Sequence, residues 1–343
     1  MTHIGNNTNS LAEAVSTQRL YWIDWLKSIG IYFIVLGHFF SVFHLYIYTF
    51  NVPLFFIISG FLAKKECSPT IFWKKLWYNL IIPLLLISVI NFSVYCLVDI
   101  YYSKFYYINV FKFIFNAIIG EQERKCGLGA CWFLYSLILI KIIFQFIERK
   151  KIHLFLSILL LFLAYLYNNN LFGDLLPQNT SNSILNVCLA YPFFTIGQLL
   201  SNYKIHLSKK HNTKQLAVIL LISAIICYLC GHYNGYVWMF KCEYGRNILL
   251  FILGGISGTA FFYVISLLLQ KYTPSYIVTI SKGTILILGF HYFLIMIIRS
   301  YVNQSATILD FLYAAFIVVL FVPLIILIRK HFPLLLGKYR FQT

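Results

Sequence analysis

Long apolar runs separated by short polar connections fill the chain from Trp25 to the basic pair Arg329-Lys330. A hydrocarbon core about 30 Å thick takes roughly 20 apolar residues per helical crossing. Runs of about that length lie at 25–44, 47–63, 80–100, 130–148, 152–168, 184–201, 215–232, 248–270, 277–298 and 307–329. They do not alternate polar and apolar residues at period two, as the strands of a membrane β-barrel would. Because lipid offers the backbone no hydrogen-bond partner, the pattern predicts an all-α, polytopic protein of about ten transmembrane helices. Segment 105–119 is aromatic but interrupted by Lys112, so it is expected to lie along the membrane surface. No repeat of fixed period is present, and no connection is long enough for a second domain. The expectation is one integral membrane domain over residues 1–343: an N-terminal segment 1–24, a helical bundle 25–329 and a tail 330–343.

Composition agrees with this reading, with 60% hydrophobic and 11% charged residues against about 25% charged in soluble domains. The net charge of +17 would suggest nucleic acid as the partner of a soluble chain. Here the basic residues sit between the apolar runs, as in Lys64, Lys65, Lys74 and Lys75, then Arg149 to Lys151, then Lys204, Lys209 and Lys210. With the N-terminus inside, most of the 27 Lys and Arg fall on the inner side, which predicts cytoplasmic N- and C-termini and no nucleic-acid partner. The first 24 residues are polar, so no separate cleavable signal is expected and the first helix serves as an uncleaved insertion signal. Of the eight cysteines, Cys227 and Cys230 form a C-x-x-C, but inside an apolar run without a second pair or a histidine at zinc spacing. They read as small packing residues, and no metal site is expected.

Ionisable groups within a membrane helix are expensive and are functional candidates by default. Asp24, Lys27 and His38 share one face of the first helix. At about 100° per residue, the eleven steps from Lys27 to His38 overshoot three turns by roughly 20°, and the fourteen from Asp24 fall roughly 40° short of four. The stripe runs from the inner surface to His38, about 20 Å deeper at ~1.5 Å per residue. Asp24 and Lys27 read equally as an interfacial acid and a snorkelling base. Buried imidazole stays neutral near pH 7 and can take a proton from a hydroxyl, so His38 reads as a general base, against the alternative of a hydrogen-bonded bundle histidine. His291, toward the outer half of its span, offers a second imidazole near the same depth or a purely structural one. Lys141 reads as snorkelling.

Asp24-x2-Lys27-x10-His38, followed by Asn51-Val52-Pro53-Leu54-Phe55-Phe56-x2-Ser59-Gly60, resembles the acyltransferase-3 family of integral membrane acyltransferases, and within it the branch of fucose 4-O-acetylase-like enzymes. The strong likeness covers residues 19 to 65. Weaker echoes follow in family order: Lys74 and Lys75 before Pro83, Cys131-Trp132-Phe133-Leu134-Tyr135, Tyr191-Pro192-Phe193-Phe194-x2-Gly197, and Ser281-x9-His291. The resemblance implies transfer of an acyl group, usually acetyl from acetyl-CoA, onto a sugar hydroxyl of a surface glycan. It implies that His38 is essential and that Lys27 stands where the family has arginine, keeping the charge without the bidentate fork. Asn51 stands where the fucose-acetylase branch often has histidine.

Thioester acyl transfer needs a base, an oxyanion donor and a dry, positioned site. His38 is the expected base, with Asp24 and Lys27 at the inner mouth and Asn51, Ser59, His291 and Trp132 as supporting or substrate-contacting groups. Lys64, Lys65, Lys74 and Lys75 are expected to hold the phosphates of acyl-CoA, unless they serve only as topology signals. The donor is a substrate, and no permanently bound cofactor is expected. The implied partners are a glycan acceptor and the lipid bilayer, and the implied location is a bacterial inner membrane. The main rival is a glycan transporter or flippase, which ten helices with buried polar groups would also suit; a non-enzymatic scaffold is a third.

Overall fold

The first helix, α1 (Tyr21–His38), sits in the middle of the assembly. It packs against α2 (His44–Phe61), α9 (Ile248–Leu269), α10 (Ser275–Lys282), α11 (Thr284–Tyr301) and α12 (Asp310–His331). The computed structural model describes residues 19–101, 115, 120, 129–171, 182–203, 212–302 and 306–337. Its other helices are α3 (Pro69–Leu76), continued through a π-turn into α4 (Ile82–Tyr101), then α5 (Trp132–Phe146), α6 (Lys150–Asn168), α7 (Ser183–Leu200) and α8 (Thr213–Asn234). Three of these starts carry the local signal that sequence physics favours. Asn182, Asn212 and Asn247 cap α7, α8 and α9 by accepting from backbone N–H groups two residues on, satisfying donors that a helix end leaves unpaired.

Among the described residues, nine helices are long and apolar enough to cross a membrane. α1 is not one of the nine, because Asp24, Lys27 and His38 dilute its apolar content, yet it is enclosed by helices that are. The all-α polytopic expectation stands, with α1 as the additional member of the bundle. The surface helix expected at 105–119 lies outside the described residues apart from Phe115. The predicted boundaries of the first two spans need correction. α1 starts four residues earlier than predicted and stops at His38, because Phe40 takes a left-handed φ of 50° that a right-handed helix cannot continue through. α2 therefore begins at His44, and Pro53 lies in its interior rather than in its first turn. The ring is accommodated because Gly255 of α9 has no Cβ to meet it.

One close crossing, made by two glycines, fixes the frame around the site. A Cβ on Gly60 would strike the Phe194 carbonyl, and one on Gly197 would strike the carbonyl of Ile57, so α2 and α7 meet backbone to backbone. The echo Tyr191-Pro192-Phe193-Phe194 thus serves packing: all four residues are buried, and the Tyr191 hydroxyl bonds His153 Nδ1 at 2.5 Å. Cys227 and Cys230 pack on Gly258 and Gly254 of α9, in line with their reading as small packing residues.

Candidate active site

His38 closes the outer end of α1, and the residues after it explain how it is held. Phe39 and Phe40 bond back to Leu36 and Gly37, tightening the last turn. Arg299 of α11 donates to the Phe39 carbonyl at 2.6 Å and pairs with the fully buried Asp310 of α12 at 3.0 Å. A guanidinium shared between a helix-terminal carbonyl and a buried carboxylate ties the end of α1 to two other helices. His38 therefore stands nearer the outer end of the bundle than a span of 25–44 implied.

The His38 ring lies 4.9 Å from that of His291, centroid to centroid, and 6.0 Å from Tyr292. His291 is fully buried. Its Nδ1 meets the carbonyls of Ile287 and Leu288 at 2.8 and 3.0 Å. Carbonyls only accept, so Nδ1 carries the proton and Nε2 presents a lone pair. That Nε2 is buried without a hydrogen-bond partner, a costly state beside a second imidazole. The ring separation leaves room for an N–H···N bond between the two.

His38 lines a cavity of about 450 Å³, and His291 stands behind it, off the cavity wall. Along α1 it is lined by Ile31, Ile34 and His38, along α2 by Tyr48, Asn51, Val52 and Phe55, and along α11 by residues from Thr284 to Phe293. Trp132 to Leu134 of α5 and Asn91 of α4 close the side, and the loop segment Val237–Lys241 closes the outer end. Gly37 lets α2 approach: a Cβ there would sit 3.1 Å from Tyr48 and 3.3 Å from the Asn51 amide nitrogen. Asn51 is buried and uses its carbonyl oxygen to accept from Val52 N–H at 2.8 Å, so its NH₂ is the group left to donate. Asn91 donates to the Gly289 carbonyl at 3.2 Å, while its own carbonyl oxygen is buried and unpartnered.

The predicted residues thus divide. His38, Asn51 and Trp132 line one cavity, and His291 stands beside His38. Asp24, Lys27 and Ser59 do not line it. Asp24 is instead held by both guanidinium nitrogens of Arg19 at 2.7 and 2.8 Å, a bidentate pair that leaves it little freedom to act on a substrate. The stripe predicted from helical angles is real on α1, but the cavity borders only its outer part. Lys64, Lys65, Lys74 and Lys75 are exposed and also lie off the cavity. Lys65 is bonded to the Ile147 carbonyl, and Lys75 is paired with Glu66 at 2.6 Å.

Two parts of the cavity wall escaped sequence reasoning, and a third group, Lys141, was noticed and read as snorkelling. Lys141 is partly buried in α5 and within electrostatic reach of both Lys27 and Glu66, off the cavity; its signal was a charge in the middle of an apolar run. Asn91 carried the same signal more weakly. The loop 235–247 carried none, since only the fold brings it over His38.

A family model described as an acyltransferase domain matches residues 20–330. The chain belongs to the acyltransferase-3 family. Comparison with curated proteins and with solved structures gives no match. As a membrane acyltransferase of this family, the protein places within the matched region the base candidate His38, its neighbour His291 and the donors Asn51 and Asn91. Apart from Lys241 and Thr284, the remaining described wall of the acyltransferase cavity is mostly aliphatic and aromatic, which limits water and strengthens each polar contact inside it.

Proposed function

We propose that this acyltransferase moves an acetyl group from acetyl-CoA to a sugar hydroxyl of a cell-surface polysaccharide or its precursor, in a bacterial inner membrane. The observation that carries the reading is His38 at the wall of an apolar cavity that runs along α11 toward the inner side, backed by the buried His291. The resemblance of residues 19 to 65 to fucose 4-O-acetylase-like enzymes supports the choice of acceptor.

In this reading His38 donates its one N–H to the lone pair on His291 Nε2, which turns its other nitrogen, a lone pair, toward the acceptor hydroxyl. That nitrogen takes the hydroxyl proton as the oxygen attacks the thioester carbonyl. The tetrahedral oxyanion is met by the Asn51 NH₂. Collapse breaks the C–S bond, and the proton on His38 passes to the departing thiolate, leaving the sugar ester and free CoA. The pantetheine arm fits the narrow apolar part of the cavity beside Ile31, Phe55 and Ile285. Lys27 and Lys141 take the phosphates in place of the exposed quartet at 64, 65, 74 and 75, since a partly desolvated cation pair attracts an anion more strongly than screened surface amines.

The test is acetyl transfer by purified full-length protein in lipid nanodiscs, compared between wild type and His38→Ala. Loss of a general base costs about 10²–10⁴ in rate, so His38→Ala is expected to lose at least about a hundredfold while thermal unfolding is unchanged. A folded His38→Ala protein with wild-type turnover would remove the mechanism. Cells lacking the gene should keep their surface polymer without its esters; loss of the polymer itself would favour an exporter.

A further inference from the structure

The outer mouth of the cavity is built by a loop that the proposed chemistry leaves unused. Val237 to Lys241 line it, and the loop is pinned from three helices. Asn234 of α8 donates to the Tyr244 carbonyl at 2.6 Å and accepts from Asn247 N–H at 2.7 Å. Asn168 of α6 donates to the Cys242 carbonyl at 2.7 Å, and Asn186 of α7 to that of Phe240 at 3.0 Å. Within the loop, Trp238 and Glu243 exchange backbone bonds at 3.0 and 3.1 Å. Such a loop holds its side chains in place before any ligand arrives.

Among the described residues that line the cavity, Lys241 is the only Lys, Arg, Asp or Glu. It is partly buried, with its ammonium 4.5 Å from the centre of the Trp238 ring and 5.8 Å from that of Phe240. Its described contacts are these rings, with no ion pair within 4.0 Å among the described residues. Burial pushes the nearby Glu243 carboxyl up while Lys241 pulls it down, and Glu243 does not line the cavity. An amine held against aromatic faces, with the Glu243 carboxylate beyond ion-pair distance and off the cavity, is partly desolvated and still free to pair with an anion in the cavity mouth. It also stands on the side that the charge bias of the chain leaves poor in cations.

Resting on the acyltransferase reading above, we propose that this mouth is a subsite for an anionic sugar of the acceptor, one bearing a carboxylate or a phosphate. Lys241 pairs with the acid group and Trp238 offers its ring to the sugar face, setting a neighbouring hydroxyl toward His38. The donor's phosphates are assigned above to Lys27 and Lys141, which lie off the cavity, and so they are not the occupant of this mouth.

The experiment uses membranes from an expressing strain, acetyl-labelled acetyl-CoA and the strain's own glycan. Label is expected on the acid-bearing sugar of the repeat or its immediate neighbour. Lys241→Gln should raise the acceptor KM about tenfold while leaving the acetyl-CoA KM within about twofold, and Lys241→Arg should stay near wild type. Lys241→Met, which keeps the aliphatic stem over Trp238, replaces the Gln variant if that protein fails to accumulate. Methyl glucuronide should inhibit more strongly than methyl glucoside, and glucose 6-phosphate compared with both separates carboxylate from phosphate. Label confined to a glycan without acid groups, an unchanged acceptor KM in both neutral variants, or a raised acetyl-CoA KM instead, would overturn the subsite. Label that persists in His38→Ala, or no label at all, would count against the acyltransferase reading and not against Lys241 alone.

Discussion

α1 and α8 are both helices of a membrane bundle, and their residues have opposite fates. α8 presents Val218, Ile219, Leu221, Ile222, Ile225, Ile226 and Leu229 outward, keeping mainly Cys230, Gly231 and Asn234 for its neighbours. α1 carries Asp24, Lys27 and His38 and is the helix that five others surround. In water the apolar helix would be central and the polar one peripheral. In lipid an exposed leucine costs nothing, whereas a carboxylate, an ammonium or an imidazole must find partners within the protein. Where chemistry is housed is thus marked by the helix that hydropathy ranks lowest.

Three substitutions sharpen the contrast. The largest effect is expected from Gly60→Val on α2, where the new side chain collides with the backbone of α7; overpacking of this kind costs about 3 kcal/mol. Thermal unfolding in detergent should show early melting and poor accumulation, and a wild-type melt would mean that the two helices are free to separate. His291→Ala should lower kcat by about 30-fold with both KM values nearly unchanged. In a His38→Ala background it should cost less than about twofold more, because residues acting as one unit are non-additive. Full additivity would show that the two rings work independently. The smallest effect is expected from Leu221→Ala on the outward face of α8, within about 0.5 kcal/mol and without change in turnover. A clear loss there would place a partner, rather than lipid, against that face.

The helical bundle was legible because the crossing length and the need to pair every backbone amide leave few alternatives. Three asparagine caps and the small-residue crossings fell into place without revising that reading. The exact end of α1 was not legible, since it depends on a left-handed Phe40 and on Arg299, which is distant in sequence. In the cavity region, His38 was singled out from helical spacing and family likeness together, Asn51 from the likeness, and His291 from its depth and the echo Ser281-x9-His291. For Asp24, angles place it on the same face as His38, but angles do not show its pairing with Arg19 or its position off the cavity. Lys141 was noticed but read without its neighbours, and Lys241 was not singled out. The fold sets Lys27 and Glu66 near Lys141 and brings the loop that holds Lys241 over the cavity, and hydropathy along the chain shows neither placement.

A protein hollowed by about 450 Å³ still has to hold an electrical potential across the sheet of lipid it sits in. Apart from the lysine at its outer lip, the described residues of that hollow offer rings, aliphatic branches and a few neutral dipoles, so a sodium or potassium ion would have to shed its water with little to replace it. An uncharged acyl fragment carries no such penalty. The same apolar wall therefore also acts as insulation, and an acyltransferase can keep a hollow inside the bilayer without becoming a leak for current.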